Sequence, residues 1–194
     1  MARIYGTTFG SMKGVNGSKA NKGAGARGES LVEELLNSSF KKYQNVCIFH
    51  DLNIPKVRGA NTDHIFLVGD CMYILDSKMW RSGFYWSFSG HSYCGLKRFE
   101  PAEKHTVGMA MDKWRDIIPR ETSIYGALII CQGSARKPQS LWALRLPDGV
   151  EKYRLDNIVA HLKNVTNKQH KKIPNEQLVR AISKYVKKKD ISIR

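Results

Sequence analysis

The chain has 194 residues, 42% of them hydrophobic and 10% aromatic, and 32 basic against 17 acidic side chains give it a formal charge of +15. That length and composition suit one globular domain with appendages and argue against disorder of the whole. The charge favours a polyanionic partner, nucleic acid before an acidic membrane surface, because basic side chains that neutralise phosphates release condensed counterions.

Residues 1–28 hold five Lys or Arg and no acid, in a stretch rich in Gly, Ser and Asn. Little there can be buried, so a flexible basic arm is expected over residues 1–27. Residues 29–43 place Leu31, Val32, Leu35, Leu36 and Phe40 on one helical stripe, with Glu29 and Glu33 at its margin. An acid in a first turn also suits the helix dipole, which alone would account for Glu29. Three strand-like runs follow, 46–54, 62–68 and 71–79, rich in β-branched and aromatic residues. Gly69 and Asp70 form the kind of two-residue loop that closes a tight hairpin.

Phe84, Trp86 and Phe88 then alternate, predicting a further short strand or hairpin. With Trp80, Tyr85 and Arg81 they suit either base stacking or an aromatic core strand. Pro101 is placed to open a helix carrying Val107, Ala110, Met111, Trp114, Ile117 and Ile118 until Pro119. Residues 124–131 are apolar on both parities, as in a strand buried on both faces. A basic loop with Arg136 and Lys137 follows, then a strand at 141–146 and a helix capped by Asp156. Residues 168–194 carry nine Lys or Arg against two acids, around an amphipathic helix with Leu178, Val179, Ile182, Tyr185 and Val186 on one side.

Four cysteines lie far apart with no CxxC pair, so reduced, buried thiols are expected; His91 with Cys94 is a metal pair lacking partners. No apolar N-terminal region and no run of about 18 apolar residues occurs, and a cytoplasmic protein without membrane contact is expected. The core order of helix, three strands, helix and strand is a mixed α/β architecture with a helix on each side of a sheet.

The hairpin carries the chemical argument. If Gly69 and Asp70 form the loop, Val68 faces Cys71 and Asp63 falls opposite Asp76. Alternation puts Asp63, Ile65 and Leu67 on the face of Met72, Ile74, Asp76 and Lys78. Like charges directly opposed are destabilising, so two carboxylates on an apolar face need a reason. A divalent cation supplies one: hard cations take carboxylate oxygens together with water and phosphate. Lys78 on the same side can balance developing negative charge, and Glu29 can reach the metal or the nucleophile. Taken singly, Asp76 with Lys78 could be a surface ion pair and Asp63 a turn residue.

These residues also carry a resemblance. An acid in the first helix, an aspartate in one strand and Asp-x-Lys in the next resemble the PD-(D/E)XK nuclease superfamily. More narrowly, GARGESLVEELL, FHDLNIP and NTDHIFLVGDCMYILDSKMW resemble the NERD (nuclease-related) domain over about residues 25–131. Asp76 stands where those domains more often have Glu. Around Glu100-Pro101-Ala102-Glu103-Lys104 the family tends to Asn-Pro-x-x-Gln, so Lys104 replaces a glutamine.

The resemblance implies an αβββαβ restriction-endonuclease-like core within residues 28–165, followed by a basic helical extension at 166–194. It further implies that Asp63 and Asp76, assisted by Glu29, bind Mg²⁺ or Mn²⁺ and that Lys78 is catalytic. The expected activity is metal-dependent hydrolysis of DNA phosphodiester bonds, as an endonuclease or nickase, with a homodimer as one option. Lys22, Arg27, Arg81, Lys104, Arg136 and Lys137 are the expected phosphate contacts. The alternatives are an inactive DNA-binding protein on the same fold and a Holliday-junction-type resolvase.

Overall fold

The computed structural model describes residues 1–8, 19–132 and 139–187, with side chains of the first helix from residue 23 onward. The chain opens with β1 (Arg3–Tyr5), α1 (Lys19–Phe40), β2 (Val46–Asn53), β3 (Asn61–Val68) and β4 (Cys71–Trp80). Next come β5 (Phe84–Phe88), β6 (His91–Cys94), β7 (Lys97–Arg98), a 3-10 turn at Glu100–Glu103 and α2 (Thr106–Arg115). It closes with β8 (Ser123–Gln132), β9 (Ser140–Ala143), a 3-10 turn at Pro147–Gly149, β10 (Glu151–Arg154), α3 (Leu155–Lys168) and α4 (Glu176–Ser183). Helix α1, strands β2 to β4, helix α2 and strand β8 stand in the αβββαβ order expected.

The main sheet runs β1-β2-β3-β4-β8-β10. β2, β3 and β4 are antiparallel, whereas β8 lies parallel to β4, and β1 and β10 add parallel edges. Alternation then sorts the side chains. Cys47, Phe49, Ile65, Leu67, Met72 and Ile74 face one core, which α2 and α4 cover with Val107, Ala110, Trp114, Leu178, Val179 and Ile182. Ile48, Phe66, Val68, Tyr73 and Leu75 face the other, which α1 and α3 cover with Val32, Leu36, Phe40, Ile158 and Leu162. The sheet is therefore sandwiched between helical layers, and β8 is buried on both sides. Strands β7, β6, β5 and β9 form a separate small sheet.

Several expectations change. Arg3–Tyr5, inside the expected arm, is an edge strand paired with Cys47–Phe49, and Tyr5 stacks on Phe49 with centroids 4.7 Å apart. Three residues carry too little alternation to be read as a strand. Helix α1 begins at Lys19 rather than near Glu29. Its alanines extend a helix already nucleated by the buried stripe, despite the glycines. Pro101 opens the 3-10 turn, and α2 starts only at Thr106. The strand after the basic loop, β9, is shorter than expected and joins the small sheet. Asp156 lies in the first turn of α3, whose N-cap is Arg154.

The expected C-terminal extension is integral. Helix α3 runs through the 165/166 boundary to Lys168, and α4 buries Leu178, Val179 and Ile182 in the core beneath β2 and β3. Asn175 caps α4 by accepting a hydrogen bond from the Gln177 N–H at 2.8 Å. Among the described residues no helix is long and apolar enough to cross a membrane.

Candidate active site

The β3–β4 hairpin has the expected register: Val68 pairs with Cys71, and the ladder runs out to His64 and Leu75. There it stops. Instead of a ladder pair between Asp63 and Asp76, the Asp63 carboxylate takes over part of the edge. Its Oδ2 accepts hydrogen bonds from the Ser77 N–H at 2.8 Å and the Ser77 hydroxyl at 2.9 Å. Beyond this point β4 pairs with β8 alone, Asp76 beside Leu128 and Lys78 beside Ile130. The two aspartates thus share a site without lying rung to rung.

Lys78 Nζ stands 2.5 Å from Asp76 Oδ2 in an ion pair. That oxygen is buried and has no hydrogen-bond donor of good geometry beyond this ionic contact. The Asp76 side chain is 17% exposed, whereas that of Lys78 is 41% exposed, so the ammonium faces the opening. Burial, then the charge of Asp76, push the Asp63 carboxyl up to about 7; Lys78 opposes the shift. Burial by itself would lower the Lys78 ammonium, but Asp76, Asp63 and Glu29 more than offset it and hold it above its ordinary value. Glu29 therefore belongs to the same electrostatic cluster.

Gly28 explains how α1 delivers that glutamate. A Cβ on Gly28 would stand 3.1 Å from Met79 Cγ and 3.4 Å from its sulfur, so the helix rests against β4 where a side chain would crowd it. One residue on, Glu29 lines a cavity of about 400 Å³ together with Asp63, Asp76, Lys78 and Lys104. Ile74, Leu128, Val107 and Ala110 form its apolar floor between the sheet and α2. Asn61, Thr62, Pro147 and Val150 also line it, contributions that no local pattern announces. Ser77 was likewise missed, because alternation points it away from the aspartates.

The remaining expected phosphate contacts are dispersed. Arg27 and Arg81 are exposed outside this cavity. The side chains of Lys22, Arg136 and Lys137 lie outside the described residues. His64 faces the opposite side of the sheet, where its Nδ1 meets that of buried His50 at 2.8 Å. All four cysteines are free thiols, and His91 lies beside Glu103 rather than a metal partner.

Residues 24–106 match the family model of the nuclease-related domain (NERD). That segment is thus similar to nuclease-related domains. The matched segment contains Glu29, Asp63, Asp76, Lys78 and Lys104, and it ends as α2 begins. Strand β8, which closes the cavity floor with Leu128, lies beyond the matched part. Among curated proteins and among solved structures nothing matches the chain.

Proposed function

We propose that the chain is a metal-dependent nuclease that hydrolyses phosphodiester bonds of DNA internally. One observation carries this reading: Asp63, Asp76, Lys78 and Glu29, from two strands and a helix, line a single cavity and all lie in the segment similar to nuclease-related domains. Among the described residues no three His, Cys, Asp or Glu side chains form a ready-made metal cage. Mg²⁺ does not need one, since it is held by one or two carboxylates and keeps several waters and phosphate oxygens. The donor set fits it, for Asp63 and Asp76 line one cavity and the raised Asp63 carboxyl marks a carboxylate pair that a cation would stabilise. Asp63 and Asp76 would hold Mg²⁺ or Mn²⁺, which supplies a water of lowered pKa and polarises a phosphate oxygen.

The protein's own groups do the rest. Ser77 fixes the Asp63 carboxylate so that one oxygen stays aimed at the cavity. The Lys78 ammonium, whose charge the neighbouring carboxylates favour, stabilises negative charge developing on the phosphate. Glu29 orients water at the mouth, and Lys104 grips a neighbouring phosphate. A second reading, a DNA-binding protein without catalysis, draws on the Asp76–Lys78 ion pair, which already neutralises one proposed ligand.

Nicking of supercoiled plasmid separates the two. Cleavage with Mg²⁺ or Mn²⁺, abolished by EDTA and reduced about a hundredfold or more in Asp76→Ala and Lys78→Ala, is the expected result. Salt-sensitive binding without cleavage of plasmid, linear, single-stranded or four-way-junction DNA would favour the binding protein.

A further inference from the structure

The small sheet presents an unusual outer face. Alternation along β5 sends Tyr85 into the core, where it stacks on Trp80, and turns Phe84, Trp86 and Phe88 outward. Trp86 lies flat on Tyr93 across the β5–β6 pair, with centroids 4.6 Å apart and planes at 21°, and its indole N–H is anchored on the Gly95 carbonyl at 2.7 Å. From β9, Trp142 comes within 6.1 Å of the Phe84 ring. Trp142 is 81% exposed, Phe88 69% and Phe84 41%. Rings scattered singly over a surface need no explanation, but several on one sheet face mark a binding site.

The charge around the face selects its occupant. Residues 77–99 and 122–147, which contain all four strands of the small sheet, have no Asp or Glu, while Arg81, Lys97, Arg98 and Arg145 are basic. Glu103 reaches the sheet from the adjoining turn and is taken up by Arg98 and the Ser92 N–H. Exposed aromatic rings among cations, with the neighbouring carboxylate of Glu103 engaged by Arg98, suit bases strung on a phosphate backbone. The small sheet is also tied to the strand that carries Lys78. Gln139 Nε2 donates to the Trp80 carbonyl at 2.9 Å and the Ser140 N–H to the Gly83 carbonyl at 2.9 Å, so β5 and β9 both hang from the end of β4, two residues past Lys78.

We propose that the outer face formed by Phe84, Trp86, Tyr93 and Trp142 is a stacking platform for unpaired bases, holding a single-stranded stretch of nucleic acid beside the Asp63–Asp76–Lys78 cavity. It rests on the nuclease reading only for the strand's relation to that cavity. Binding of labelled oligo-dT and oligo-U, an abasic oligomer of equal length and a blunt duplex, measured by anisotropy in EDTA with the full chain, tests it. Wild type should bind oligo-dT or oligo-U at least about tenfold more tightly than the abasic strand. Trp142→Ala and Phe84→Ala should each lose about tenfold for the base-bearing strand and leave abasic binding unchanged, with Trp142→Phe and Phe84→Tyr restoring affinity. Retention of affinity by oligo-dT but not oligo-U, or the reverse, would support the platform and identify which sugar it takes.

Equal binding of abasic and base-bearing strands, or ring variants that bind like wild type, would overturn the platform. So would sedimentation in which wild type self-associates and the ring variants are monomers with unaltered DNA binding, because the face would then belong to a second copy. The two readings fail separately. Metal-dependent cleavage with ring-independent binding removes the platform alone, whereas ring-dependent binding without any cleavage removes the nuclease and leaves the platform.

Discussion

Ser77 and Asp63 show how a single side chain can replace a rung of a sheet. The Asp63 carboxylate satisfies the Ser77 N–H, leaving β4 free to part from β3 and open the cavity mouth. The arrangement has a cost, because Asp63 sits buried near Asp76 with its carboxyl raised to about 7. An acid whose pKa is higher in the folded chain favours the fold while it is protonated. That contribution is complete below about pH 4 and disappears as pH rises through about 7. Asp63→Asn should therefore raise the Tm of metal-free protein by a few degrees at pH 8 and hardly at all at pH 4, as read by calorimetry. Since a cation must displace the Asp63 proton, Mn²⁺ affinity measured by calorimetric titration should fall about tenfold per pH unit below pH 7 and level off above it. A flat profile would remove Asp63 from the ligand set.

At the level of elements, close approach decides the cavity's shape. Gly126 on β8 lies under α2, where a Cβ would stand 2.4 Å from the Met111 sulfur and 2.8 Å from Val107 Cγ1. The thioether can swing aside, but Val107 is held near the helix backbone. Gly126→Ala should thus push α2 away, cost about 1–3 kcal/mol in denaturant unfolding and lower cleavage by displacing Val107 and Ala110 from the cavity floor. Stability like that of wild type would mean that α2 sits less tightly than described. The helix itself was legible from its apolar spacing, yet its start was not. Pro101 suits a first helical turn, and here it opens a 3-10 turn that ends before α2.

The whole molecule has less appendage than its charge distribution suggests. Basic, glycine-rich ends look like solvated grips, yet β1 extends the sheet and α4 seals one core. Ile182 is fully buried there, and Ile182→Ala should cost about 2–5 kcal/mol in global stability, where an independent extension would lose nothing from the main unfolding transition. The αβββαβ order, the hairpin register and the shared face of Asp63, Asp76 and Lys78 could all be read from the chain, because a two-residue loop and strict alternation are local and admit one solution. The partition of rings between core and surface, the attachment of β9 to the small sheet, the pairing of β10 with β8 and the hold of Ser77 on Asp63 could not. Each joins segments whose partners are chosen by packing over long sequence separations, where short-range pattern carries no information and only the completed fold selects the contact.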